Sequence, residues 1–524
     1  MNDGIFNERI RDMAYLTVIP VAVVLVVLLI LKKSIQTAGI SGFTVALIFA
    51  ISIFKMTKEG IMGAMGKAFA LSFYVLMIIW SALLLYHVLD EFGAIKKITV
   101  LFGRLIREPF AQFITLSWLL SGVLQSISGY GVPIVIVAPM LTALGYNAFK
   151  SSVAVLFGHT WAVSFGSMGA AYYTLFLATG LDQQKLGLMM IVFNCVLAFG
   201  TGLTVAWFHS GKKGMKRSLK YILPSTLGIG VAMYGAIKLG SYTTAALAAS
   251  LTGLLITYGV YRFFDHQDHQ EYENYLDRVP NFEADMPTAG VALAPYVFIL
   301  LAILSVNTLQ LPDWQFALSF PETTTGLGYV ASKADHYAAI QWLGHPGPIL
   351  GLATLIFLGM LYRRKTINSK RLKRALNRVV RQGIGVSIGL MAFIAMSIVM
   401  MDSGMIVKMA SMISSLTGKT YGFFASFVGA LGTLITGSNT NSNVLFGAFQ
   451  VAVAKEMGKN PYQMAAVQSI AGSLGVVLSP TIVYLAASVA GDDISESTLY
   501  RKTIGPTLIL TAVLGGVNLL LFFF

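Results

Sequence analysis

Charge is what this chain has least of. Only 11% of its 524 residues are Asp, Glu, Lys or Arg, while 56% are hydrophobic. Soluble proteins carry roughly 25% charged residues, so the scarcity excludes a water-soluble globular protein and points to a polytopic membrane protein. Cysteine is nearly absent as well. The single Cys195, inside an apolar run, excludes a disulfide framework and a cysteine-based metal site. There is no His-Glu-x-x-His run and no Gly-rich phosphate loop ending in Lys-Ser/Thr. Those absences argue against an intramembrane protease and a primary pump, so neither an enzyme nor a bound cofactor is expected.

Acids are missing from two loops that are rich in bases. Arg363 to Arg381 holds nine Lys/Arg and Lys212 to Lys220 holds five, with no acid in either. The net charge of +14 is therefore confined to loops and forms no nucleic-acid face. Short basic loops beside spans mark the cytoplasmic side. The run Ala14 to Leu31 ends in Lys32-Lys33 without a small-residue cleavage site and is expected to be a first span.

What is present is apolar length. A span needs about 20 apolar residues, and the sequence offers 14–31, 39–56, 66–89, 185–208, 221–239, 241–262, 288–308, 346–362, 382–401 and 504–524. Four further apolar regions are interrupted. The segment 110–145 breaks at Ser128-Gly-Tyr-Gly-Val-Pro133, and 150–179 breaks near Gly166-Ser-Met-Gly169. In the other half 420–455 breaks at Gly437-Ser-Asn-Thr-Asn-Ser-Asn443, and 462–490 breaks at Gly472-Ser-Leu-Gly475 and Ser479-Pro480.

Keeping the basic loops 92–107 and 209–220 on one side requires one of the three hydrophobic regions between them to return to its own side, as a re-entrant hairpin would, and the loop 363–381 then falls on that side too. Arms of about 12 residues would reach about 18 Å, short of the roughly 30 Å core. The expected fold is thus all-α, with about 12–14 transmembrane segments in inverted repeats and two re-entrant or broken hairpins. Residues 1–262 would form one half and 287–524 the other. The acidic loop 263–286, with His266 and His269, would be solvated, and 309–345 interfacial and amphipathic.

Irregular backbone survives in hydrocarbon only inside protein or beside a wet cavity. Paired breaks in two halves point to a secondary transporter's site. The candidates are Gln125, Ser126, Ser128, Gly129, Tyr130 and Gly131 in the first hairpin, with Ser438, Asn439, Thr440, Asn441, Ser442 and Asn443 in the second. Hydroxyls, amides and helix N-termini would replace the water shell of a small organic anion. Ionisable residues inside spans are functional candidates by default. His159 is the candidate proton carrier, with Ser438, Asn439 and Thr440 as the alternative ion site. His87, Asp90, Glu91 and Asp402 lie at span ends.

The blocks Ser121 to Pro133, Phe165 to Gly169, Leu434 to Asn443 and Gln468 to Pro480 resemble the bacterial lactate permease family of the ion-transporter superfamily. The resemblance implies a multi-pass bacterial inner-membrane carrier of lactate or glycolate, proton-coupled, with alternating access of elevator type; it leaves the oligomeric state open and admits a homodimer. Ser438-Asn439-Thr440 also looks like the Ser-Asn-Thr signature of sodium-coupled dicarboxylate carriers. Three positions depart from the family's pattern: Gln125 stands where it has a glutamate, Asn439 where it has an aspartate, and Val476 near its lysine. These changes delete the obvious proton carrier. They leave open a sodium-coupled or uncoupled carrier of another anion or, further off, a channel.

Overall fold

Two antiparallel helices of 34 residues each, Lys58–Glu91 and Ser369–Asp402, form the spine of the molecule. In this computed structural model the described residues are 11–103, 105–106, 108–128, 131–265, 286–309, 314–490 and 494–522. At 1.5 Å per residue each spine helix is about 51 Å long. Their antiparallel register is written in polar contacts. Lys67 Nζ donates to Asp402 Oδ2 at 3.0 Å, Trp80 Nε1 to Ser387 Oγ at 3.0 Å, and His87 Nε2 lies 2.8 Å from Gln382 Oε1. Arg374 and Arg378 then meet Glu91 and Asp90. The helices start where caps say they should: Thr57 accepts from Gly60 N, and Asn368 from Lys370 N and Arg371 N.

Eight helices among the described residues are long and apolar enough to cross a membrane, or ten if two bent pairs each count as one span. The helix Gln183–Lys238 contains two expected spans, folded back at Ser210 and Gly211, where the backbone leaves the helical region. The shorter apolar helices Tyr15–Leu28 and Ala289–Ile303 fall in two other expected spans. Many large apolar side chains point outward, among them Leu227, Val231, Leu255 and Leu355. On a soluble protein such a surface would mark an interaction site; around spanning helices it is the lipid-facing side.

Both interrupted pairs are as the sequence suggested. The first hairpin joins Pro109–Ile127 to Val132–Ala143, closed at its base by Tyr146 Oη donating to Pro109 O at 2.7 Å. The second joins Tyr421–Thr436 to Asn439–Glu456, turning at Gly437, whose φ of +67° suits a residue without Cβ. Tyr421 Oη meets Gln450 Oε1 at 2.9 Å and Ser442 Oγ donates to Gly429 O at 3.1 Å, so the arms run antiparallel. Three of the four arms exceed the expected 12 residues, at 19, 16 and 18. Buried partners hold Gln112 and Gln450 inside these longer arms.

Two bent helices accompany the hairpins. Ala148–Gly158 and Thr160–Thr179 meet at 41°, Pro461–Leu478 and Pro480–Ala490 at 45°. An asparagine caps each at its start: Asn147 accepts from Lys150 N, and Asn460 from Tyr462 N and Gln463 N.

One segment differs in kind. The segment 315–341, expected to be interfacial and amphipathic, folds as β1 (Gln315–Phe320) against β4 (Ala334–Gln341) and β2 (Thr323–Thr324) against β3 (Val330–Ala331), both pairs antiparallel. The period-2 spacing of Phe316, Leu318 and Phe320 is the strand signal that composition obscured. Phe320 packs against Gly66 at the start of the first spine helix. The other regular elements among the described residues are helical. The loop residues 266–285, with His266 and His269, lie outside the described residues.

Candidate functional site

The tips of both hairpins and the kinks of both bent helices surround one cavity of about 70 Å³. It is lined by Gln125 and Gly131 from the first hairpin, and by Gly437, Ser438, Asn439 and Thr440 from the second. His159, Gly166 and Ser167 come from the first bent helix, Val476 and Ile482 from the second. A water needs roughly 10–15 Å³ of such space, so the cavity holds a few waters or a solute of a few heavy atoms. Gln125, Asn439 and Val476, the three departures from the family pattern, all border it.

The second tip is organised by capping. Ser438 leaves the helical region (φ −147°, ψ 123°) and its hydroxyl accepts from Asn441 N, starting the helix that follows. The first backbone N–H groups of a helix have no intrahelical acceptor and carry the positive end of its dipole. Asn439 and Thr440 therefore bring the positive end of a helix to the cavity. Across it, Gly131 starts its helix at φ +78° with no side-chain cap.

Asn439 is 3% exposed, and three hydroxyls surround its amide. Its Nδ2 lies 3.3 Å from Ser164 Oγ and 3.4 Å from both Ser469 Oγ and Ser473 Oγ, while Oδ1 accepts from Thr433 Oγ1 at 3.4 Å. Two N–H donors serve three acceptors, so these bonds are long and shared. Ser164 and Ser473 hydroxyls are 2.8 Å apart. A Cβ at position 472 would collide with Asn439 Oδ1, so any residue other than glycine there has to shift that amide.

His159 is 1% exposed and ends the first part of its bent helix. Its Nδ1 donates to Val155 O at 2.7 Å, which assigns the tautomer and leaves Nε2 for the cavity. Beyond it, Ser167 and Met168 take left-handed backbone (φ +48° and +54°), followed by Gly169 at +83°. Consecutive left-handed non-glycine residues cost about 1–3 kcal/mol each. Burial of Met168 and the bond from Ser167 Oγ to Ser128 O (3.3 Å) hold them there. Gly166 lets Gln125 lie against the backbone, since a Cβ would come within 3.0 Å of its Nε2.

The remaining candidates sit behind the cavity. Ser126 and Ser128 donate to Val123 O and Leu124 O of their own helix. Asn441 lends its N–H to the cap, and Ser442 joins the hairpin arms. Asn443 Nδ2 donates to Ala171 O and Ser469 Oγ at 2.9 and 3.0 Å. Gly129 and Tyr130 lie outside the described residues. Ser164, Ser469 and Ser473 were not singled out in the sequence: isolated serines in apolar helices carry no signal until the fold gathers them. At the span ends, Asp90 and Glu91 are paired with arginines and Asp402 with Lys67, so none of these acids reaches the cavity.

The model of the L-lactate permease family matches residues 13–524. An L-lactate permease of Streptococcus iniae is 28% identical over 86% of this chain and 93% of its own length. The L-lactate permease of Escherichia coli K12 is 23% identical over 94% and 93%, and the glycolate permease of the same strain 23% over 97% and 95%. The crystal structure of the Alcanivorax borkumensis YdaH transporter aligns over 86% of this chain and 85% of its own, with 17% identity and a TM-score of 0.45. With a match across nearly its full length, this multi-pass membrane protein belongs to the L-lactate permease family.

Proposed function

We propose that this transporter carries a small monocarboxylate of the lactate or glycolate type by alternating access, in symport with a proton. The observation that carries the reading is the convergence of both hairpin tips and both kinks on one small cavity with neutral hydrogen-bond donors. A carboxylate needs donors that replace its hydration, and helix N-termini supply them without a formal cation. Gln125, Ser438, Asn439 and Thr440 would orient it. The neutral residues at 125, 439 and 476 leave His159 as the ionisable side chain on the cavity wall, so His159 Nε2 takes and releases the coupled proton. The hairpins and bent helices would move as a unit against the spine, in an elevator-like stroke.

A sodium-coupled alternative has its own support. Asn443 Oδ1 is buried without a hydrogen-bond partner, beside the serine hydroxyls around Asn439.

Uptake of labelled L-lactate into proteoliposomes, with proton and sodium gradients imposed separately, distinguishes the two. The proposal expects proton-driven uptake in the wild type, and in His159→Gln loss of the dependence on the pH gradient with binding retained. Sodium-driven uptake with an unchanged His159→Gln profile would transfer coupling to the Asn439 cluster. No lactate or glycolate uptake under either gradient would refute the substrate class.

A further inference from the structure

A second cavity, far larger and of opposite character, opens on the outer surface. It measures about 710 Å³ and lies between the two legs of Gln183–Lys238 and the last helix, Glu496–Leu521. Its walls are apolar, with Phe199, Leu203 and Trp207 on one leg, Leu223 and Leu227 on the other, and Ile509 on the last helix. The helices are close at Gly200, where an added Cβ would come within 2.6 Å of Leu510, and they diverge around it. The Thr204 and Thr226 hydroxyls and the Cys195 thiol are the polar groups in its lining, and no charged side chain is among the residues that line it.

Charge at one end says what fills it. On the last helix Lys502, Pro506, Ile509 and Val513 are spaced 4, 3 and 4 apart, one stripe of a helix; the last three line the groove, so Lys502 continues the same face at its mouth. On the second leg Lys216, Leu223 and Leu227 share a face in the same way. Lys212, Lys213, Lys216, Arg501 and Lys502 are all exposed, and none makes an ion pair among the described residues. The neighbouring Arg217 and Lys220, by contrast, are taken by Glu108 and Asp265. The positive-inside rule puts this basic turn on the cytoplasmic side, where anionic headgroups attract such clusters. Trp207 is 42% exposed at the mouth, as interfacial indoles are.

The geometry points to a binding site for an anionic phospholipid: one acyl chain lies in the groove, and its phosphate headgroup is held by Lys212, Lys213, Lys216 and Lys502. The site binds lipid from the cytoplasmic leaflet and locks the fold-back of Gln183–Lys238 against the last helix. A zwitterionic lipid of the same chain length fits the groove and loses the headgroup attraction.

Trp207 reports on this directly. Full-length protein is reconstituted in phosphatidylcholine containing either phosphatidylglycerol or phosphatidylcholine with brominated chains, and the Trp207 signal is taken as the difference from Trp207→Phe. At equal mole fraction the brominated phosphatidylglycerol should occupy the site about fivefold or more in preference, the advantage expected from even one interfacial lysine. Lys212→Gln/Lys213→Gln/Lys216→Gln should erase most of that preference while leaving quenching by brominated phosphatidylcholine unchanged. Equal quenching by both lipids would mean ordinary boundary lipid and overturn the proposal. So would an undiminished preference in the triple variant, or quenching by neither lipid, which would mean that a second copy of the chain covers the groove.

Discussion

Asn439 shows how much one side chain can be asked to hold. Its amide touches Ser164 of the first bent helix and Ser469 and Ser473 of the second, and its own backbone starts a helix at the cavity. A neutral hydrogen bond is worth about 1 kcal/mol net, so Asn439→Ala, which removes a pair of amide functions, should weaken substrate binding by about thirtyfold. Gly472→Ala should do comparable damage without removing any polar atom, because its methyl must displace Asn439 Oδ1. Substrate-dependent thermal stabilisation of the purified protein measures both. Wild-type affinity in the two variants would remove Asn439 from the site; damage in Gly472→Ala alone would point to packing.

At the scale of elements the spine is the unit, and its least expected feature is the Lys67–Asp402 ion pair. Both side chains are 6% exposed, and they sit where the β-strand segment packs on the first spine helix, with Tyr329 and Tyr337 close enough to Asp402 to feel its charge. Asp402 was a candidate on its own; Lys67 was not, because a lysine at the head of an apolar run reads as a solvated end. Burying two charges is offset only when they stay together, and removing one partner costs about 3–5 kcal/mol. Asp402→Asn should therefore lower the melting temperature markedly in detergent. Lys67→Met combined with Asp402→Leu should recover most of the loss, since apolar replacement of a buried pair is often near neutral. If the single variant melts like the wild type, the pair is not what joins these helix ends.

Taken whole, the molecule has two kinds of interface around the cavity. Within the group of hairpins and bent helices the contacts are hydrogen-bonded and glycine-close, as at Gly429 and Gly475, where a Cβ would strike the facing backbone. Between that group and the spine, Tyr74 and Tyr173 meet side chain on side chain, with ring centroids 5.8 Å apart. An elevator-like stroke needs the second kind to slide. In a Cys195→Ser background, linking Tyr74→Cys to Tyr173→Cys with a cleavable bifunctional reagent should arrest lactate uptake, and reduction should restore it. Full uptake by quantitatively linked protein would exclude sliding at this interface.

Local pattern by itself determined a good deal: the membrane class, the basic loops, the interrupted segments and the residues at their tips. Each of these is a property of one continuous stretch, readable from hydropathy, charge and the backbone demands of Gly, Pro and Asn. Only the tertiary structure decided which tip residues face a common cavity and which merely tie their own helix. It paired Lys67 with Asp402 across the spine, gathered Ser164, Ser469 and Ser473 around one amide, and set Gln125, Asn439 and Val476 around the same space. Those contacts join residues hundreds of positions apart. Helix packing creates them, and hydropathy, which is nearly alike on every face of Lys58–Glu91 and Asn439–Glu456, does not specify which faces meet.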